Sequence, residues 1–273
     1  MLDSLPENTS ANFVSSKLEL TEVNVKPKRC IELGHLCIDF PIYTESDWSF
    51  RHLLAKMFFL SAQQIQRRKT VSALRQITLQ INYGERVALI GANGAGKTTL
   101  LKILSLIYSP TSGYALVNGR VSSLLDISLG TDPELTGKEN LLIRGTMMGL
   151  SPKETEDILP EVIAFAELKD FIDLPMRTYS SGMAMRLLFS MATAIPSDVL
   201  LMDEWLSTGD HYFSQKASER MRSFVDKSGV LVLASHSMEL LKQTCSRGIW
   251  LDQGTIKMDG PIEDVCAAYQ SAK

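Results

Sequence analysis

One stretch of eight residues limits this chain more than any other. Gly91-Ala-Asn-Gly-Ala-Gly-Lys-Thr fits the pattern G-x-x-x-x-G-K-[ST] in full. It follows the apolar run Val87–Ile90, which reads as a buried strand, and precedes a helical stretch that opens at Lys97. A strand, a glycine-rich loop and a helix start in this order turn several backbone N–H groups toward one point. The partial positive charge of the helix N-terminus lies at the same point, so the arrangement suits phosphate. Gly91, Ala92, Asn93, Gly94, Ala95 and Gly96 are the expected cradle. Lys97 is expected to reach the β- and γ-phosphates, the Thr98 hydroxyl to take Mg²⁺, and Thr99 to flank it.

A second feature lies far along the chain. In Asp198-Val-Leu-Leu-Met-Asp-Glu an apolar strand ends in two acids. The carboxyl ends of parallel strands face the ligand crevice, so Asp203 is the expected magnesium partner and Glu204 the group that orients or deprotonates a water. Alone, such a pair is equally an ordinary acidic turn; beside a phosphate loop it gains meaning. His236 follows another apolar run, Val230–Ala234, and at that strand end is expected to contact the γ-phosphate.

Composition narrows the remaining choices. The chain has 273 residues with a formal net charge of −3, a length suited to one decorated α/β domain or two small ones. The near-neutral balance argues against a nucleic-acid coat, and no nucleic-acid partner is expected. No stretch approaches the roughly 20 apolar residues of a membrane span, and the polar N-terminus has no apolar leader region. Cys30, Cys37, Cys245 and Cys266 show no zinc spacing and read as reduced thiols.

The rest of the chain divides as follows. Residues 1–29 read as a polar, mobile arm. Ile31–Phe40 is strand-like and ends at Pro41. Residues 46–69 read as a helix capped by Ser46 or Asp47. A second strand pair follows, with Leu74–Ile81 alternating, a turn at Asn82–Glu85, and Arg86–Ile90 buried. Residues 98–107 are expected to be a helix, 133–166 mostly helical, and 186–194 helical again. Ile249–Gly260 reads as a hairpin. Alternating strands and helices imply a mostly parallel sheet covered on both faces.

Together these pieces resemble the ATP-binding cassette (ABC) ATPases, over about residues 30–260. Tyr179-Ser-Ser-Gly-Met is similar to the family's signature loop, and Ser207-Thr-Gly-Asp to its D-loop. The resemblance implies an ABC-type P-loop nucleotide-binding domain of the α/β class, with a mostly parallel core sheet, an antiparallel β subdomain and a helical signature subdomain. It divides the chain into the arm at 1–29, the cassette at 30–262 and a short tail at 263–273. Within the cassette, 44–70 is a basic insertion and 133–194 the helical unit. It implies ATP and Mg²⁺, and a dimer with a second copy in which Ser181 and Gly182 bind the γ-phosphate held by the partner. Asp210 is the matching D-loop acid, and His236 the switch histidine. Phe40, with Tyr43 as the alternative, matches the aromatic that stacks on adenine. The family's glutamine between phosphate loop and signature is missing from 125–140; Asp126 or Ser128 occupies that place, with Asp126 a metal candidate.

Gly130–Asn140, the signature stretch and Gly209-Asp-His-Tyr-Phe-Ser-Gln-Lys resemble the ATPase subunits of bacterial polysaccharide exporters. These export O-antigen, capsule or teichoic acid with a separate membrane permease. The resemblance therefore implies a peripheral protein on the cytoplasmic face of the inner membrane. Some members carry a C-terminal carbohydrate-binding domain, which is not expected in a sequence that stops at Lys273. Residues 50–69 hold five Lys or Arg and no acid, so 46–69 either meets the membrane subunit or a lipid-linked polysaccharide, or packs on its own domain with a solvated basic face. The alternative functions are a soluble ABC ATPase and a transporter subunit for another substrate.

Overall fold

The computed structural model describes residues 29–42, 70–204 and 211–272. The expected arm, the helix at 46–69, Tyr43 and the Ser207–Asp210 stretch lie outside the described residues, apart from the arm's last residue. In chain order the elements are β1 (Arg29–Pro41), β2 (Thr70–Asn82), β3 (Arg86–Ile90), α1 (Lys97–Leu104), β4 (Ser112–Val117), β5 (Val121–Ser123), α2 (Gly137–Met147), α3 (Pro152–Ala166), α4 (Ser181–Ala192), β6 (Val199–Asp203), α5 (His211–Lys227), β7 (Val230–Ala234), α6 (Met238–Thr244), β8 (Arg247–Asp252), β9 (Thr255–Pro261) and α7 (Ile262–Ser271).

The strands form two sheets. The larger runs β5-β6-β7-β3-β8-β9, with β9 antiparallel and the other five parallel. The smaller is antiparallel, in the order β2-β1-β4. Continuous apolar runs in β3, β6 and β7 follow from burial on both faces. Successive side chains alternate between two cores. Ala88, Ile90, Leu200, Met202, Leu231 and Leu233 pack with the helices that include α2, α3 and α4. Val87, Leu89, Val199, Leu201, Val230 and Val232 pack with α1 and the antiparallel sheet. Arg247 ties the sheets together. It donates to the Gln80 carbonyl at 2.9 Å, pairs with Glu85 at 2.6 Å, and grips Asp259 through two nitrogens at 2.7 Å. The Asp259 carboxylate, foremost, raises the guanidinium above its ordinary value.

The structure corrects several expectations. β2 and β3 flank one turn but do not pair with each other: β2 pairs with β1, and β3 with β7 and β8. The physical reason lies in the patterns. Alternating β2 has one face to bury, whereas β3 has two. Helix α1 ends at Leu104 rather than 107, because Leu106 takes the left-handed conformation (φ 61°) and turns the chain. Helix α4 starts at Ser181 rather than 186, because the Ser180 hydroxyl caps it by accepting from the Met183 N–H at 3.2 Å. Residues expected as a tail form α7, whose Ile262, Val265, Cys266 and Tyr269 share one buried face. All four cysteines are free.

Leu233 is fully buried at the centre of the larger sheet. Leu233→Ala is expected to cost about 2–5 kcal/mol of unfolding free energy, read as a lower urea midpoint.

Candidate functional site

The chain leaves β3 at Ile90 and must turn at once without obstructing its neighbour. At Gly91 a Cβ would lie 2.4 Å from the Leu251 carbonyl oxygen of β8, so only glycine fits. At Gly96, the residue before α1, φ is 108°, and a Cβ would lie 2.7 Å from Leu74 Cδ2. The loop is held from outside by the Gly254 N–H, which donates to the Ala95 carbonyl at 3.0 Å. No acid lies in the first turn of α1 itself, so the helix supplies no anion of its own at its N-terminus.

Lys97 curls back over this loop. Its Nζ donates to the carbonyls of Gly91 (2.8 Å) and Ala92 (3.1 Å), and the residue is 8% exposed. Burial lowers its pKa, and the nearby Asp203 and Glu204 carboxylates oppose that shift. The ammonium thus rests on neutral carbonyls, a weaker arrangement than an anionic partner offers.

The acids converge from β6. The Thr98 hydroxyl donates to Asp203 Oδ2 at 2.7 Å. Glu204 takes φ 75°, an arrangement that costs a residue with a Cβ about 1–2 kcal/mol. Three hydrogen bonds hold it there. Its N–H donates to the Ala234 carbonyl at 2.8 Å. Its carboxylate accepts from Ser235 Oγ at 3.0 Å and from the His236 N–H at 2.9 Å. A cavity of about 450 Å³ is lined by Ala73, Asn93, Gly94, Gly96, Lys97, Thr98, Thr99, Asp203, Glu204 and His236. A second groove, of about 390 Å³, lies away from it around Phe165, Lys216 and Arg220. Those two cations are already paired with Glu167 and Glu161, at 2.9 Å each. The chemistry therefore points to the first.

Other expected residues lie elsewhere. Ser181 and Gly182 open α4, are exposed, and do not line the cavity. Phe40 does not line it either: its ring packs edge-on against Tyr108 at 5.4 Å. Asp126 is not brought to it. Its carboxylate accepts from the Ser128 N–H (3.0 Å) and hydroxyl (2.6 Å), which hold its pKa below the ordinary value. Tyr43 and Asp210 lie outside the described residues. Sequence reasoning missed Ser235, although a hydroxyl beside His236 was a usable signal. It also missed Ala73, which had none.

A sequence profile described as ABC transporter matches residues 74–207. The O-antigen export system ATP-binding protein RfbE of Yersinia enterocolitica is 40% identical over 224 residues, covering 81% of this chain and 94% of that protein. The chain belongs to the ABC transporter family. A second ABC relative, the O-antigen export system ATP-binding protein RfbB of Myxococcus xanthus, is 44% identical over 202 residues, or 74% of this chain; the match spans 46% of that protein's length. A solved dimeric ATP-binding cassette, in a post-hydrolysis state bound to ADP and Pi, superposes with a TM-score of 0.61. It is 18% identical and covers 85% of this chain and 98% of its own. At that identity the likeness speaks for the ABC fold.

Gly91→Ala is expected to displace the loop from β8, lowering the thermal midpoint by several degrees, because a backbone carbonyl cannot yield as a side chain does. Differential scanning calorimetry reads this directly. Gly84→Ala, at a glycine with no atom within 4 Å of its added Cβ, isolates the effect of space from that of backbone conformation.

Proposed function

We propose that this chain is the ATP-binding and ATP-hydrolysing subunit of an ABC transporter that exports a lipid-linked polysaccharide of the O-antigen, capsule or teichoic acid type. The observation that carries the ATPase part is the convergence of the phosphate loop, Asp203, Glu204 and His236 on one cavity. The export part is supported by relatives named for O-antigen export.

In this reading Lys97 leaves the Gly91 and Ala92 carbonyls and takes the β- and γ-phosphates, while the loop N–H groups hold the α- and β-phosphates. Thr98 and Asp203 present a hydroxyl and a carboxylate oxygen side by side, the hard-oxygen set that suits Mg²⁺ alongside substrate phosphates. When bound there, the ion neutralises charge on the phosphates. Glu204 accepts a proton from, or orients, the attacking water, and His236 contacts the γ-phosphate. Ser235 steadies Glu204 in its strained backbone position.

Ser181 and Gly182 face outward at a helix start, and we assign them to the nucleotide held by a second copy of the chain. Asp210 belongs to the same interface, and Phe40 or Tyr43 to the adenine. The cassette spans residues 30–262, with 133–194 as its helical unit. A separate membrane permease is the other partner, which places the protein peripherally on the cytoplasmic face of the inner membrane. Residues 46–69 are assigned to that membrane side.

Lys97→Ala is expected to weaken ATP binding by about 2–3 kcal/mol, roughly 30–150-fold, in a titration calorimeter. Glu204→Gln is expected to bind ATP yet lose about 10²–10⁴-fold in turnover, and to accumulate as a dimer in ATP on size-exclusion chromatography. Normal turnover in Glu204→Gln would overturn its role. Affinity purification from membranes is expected to recover a polytopic membrane protein. Recovery of ribosomes or DNA instead would overturn the export reading.

A further inference from the structure

The helical unit that carries Ser181 joins the larger sheet through two chain segments, 124–136 and 193–198. The first leaves the sheet close to the acids: the Leu124 N–H donates to the Leu201 carbonyl at 2.9 Å, on the strand that ends in Asp203. It is then fastened to α2 by two residues four positions apart, Asn140 and Arg144, which share one helix face. Asn140, 1% exposed, accepts from the Asp132 N–H at 2.8 Å. It also donates to the carbonyls of Asp132 (2.9 Å) and Thr136 (3.0 Å).

Arg144 is less ordinary. It is 8% exposed, and its Nη1 donates to the Leu129 carbonyl at 3.2 Å. Among the described residues its buried Nε has no hydrogen-bond partner. Among the described residues no carboxylate reaches ion-pair distance, although the Asp126 carboxylate is near enough to offset part of the cost of burying the cation. A buried guanidinium on one carbonyl is an expensive way to hold a loop. An apolar side chain would fill the space at lower cost. The charge and the unused donor therefore call for a reason beyond packing.

We propose that Arg144 is a positioning residue for ATP hydrolysis: it pins the connecting segment to α2, so that the helical unit bearing Ser181 and Gly182 holds its place relative to Asp203 and Glu204. The residue touches neither nucleotide nor water; it acts through the segment. This rests on the ATP-hydrolysis reading above.

The test uses the purified full chain with Arg144→Met and Arg144→Lys. Turnover in Arg144→Met is expected to fall about tenfold while KM for ATP and the Mg²⁺ dependence stay within about twofold. Arg144→Lys, which keeps charge and one donor but not the planar fork, is expected to fall between it and the parent. Hydrogen exchange without nucleotide is expected to quicken at the amides of 128–131 in both variants and to be unchanged over 91–98. Should Arg144→Met fail to fold, Arg144→Lys carries both measurements. Unaltered turnover overturns the proposal, as does a loss that tracks the unfolded fraction or appears only in KM. If the parent chain itself hydrolyses no ATP, the function reading fails instead. The exchange experiment needs no nucleotide and still decides whether Arg144 pins the segment: unchanged exchange at 128–131 rejects it.

Discussion

The site depends on the register of three parallel strands. Leu89 of β3 pairs with Ala234 of β7, and Ala234 pairs with Asp203 of β6. These three residues form one row across the sheet. Just beyond that row stand Gly91, then Ser235 and His236, then Glu204. No local motif produces this alignment. A slip of one residue would shift an acid by about 3.3 Å and turn it to the other face. The register is protected because every one of these strands buries both faces, so a slip would exchange the occupants of two full cores. Thr98 and Asp203, 105 residues apart in sequence, then meet at 2.7 Å.

Around that row the chain is held short of its best electrostatics. Lys97 is buried against carbonyls rather than an anion. Glu204 sits in a left-handed conformation kept by Ser235, His236 and Ala234. Such unfavourable arrangements concentrate where a ligand completes them. A triphosphate supplies what Lys97 and the α1 N-terminus lack. The start of α4, capped by Ser180, is a second exposed helix N-terminus and lies away from this cavity.

Much of this was legible in the sequence because it is local. The phosphate loop, the two acids after an apolar strand and the histidine after the next one each carry their meaning within ten residues. Where a residue's use depends on a distant partner, the sequence misled. Phe40 reads as a base platform, and nothing local announces that its ring packs edge-on against Tyr108. β2 and β3 looked like a hairpin, since a turn joins them and only the third dimension separates their sheets. Helix α7 had its signal in Ile262, Val265, Cys266 and Tyr269, but its short length next to the chain's last residues hid it. The proposed membrane-facing role of 46–69 rests on its charge and on the family resemblance, and these residues lie outside the described ones.

The central claim is that one chain holds half of a catalytic site. It is tested most directly by measuring ATP hydrolysis per mole of the purified chain across a wide range of protein concentration. The account predicts specific activity that rises with concentration as dimers form and then levels off. Specific activity that is constant down to concentrations at which the chain sediments as a monomer would contradict it.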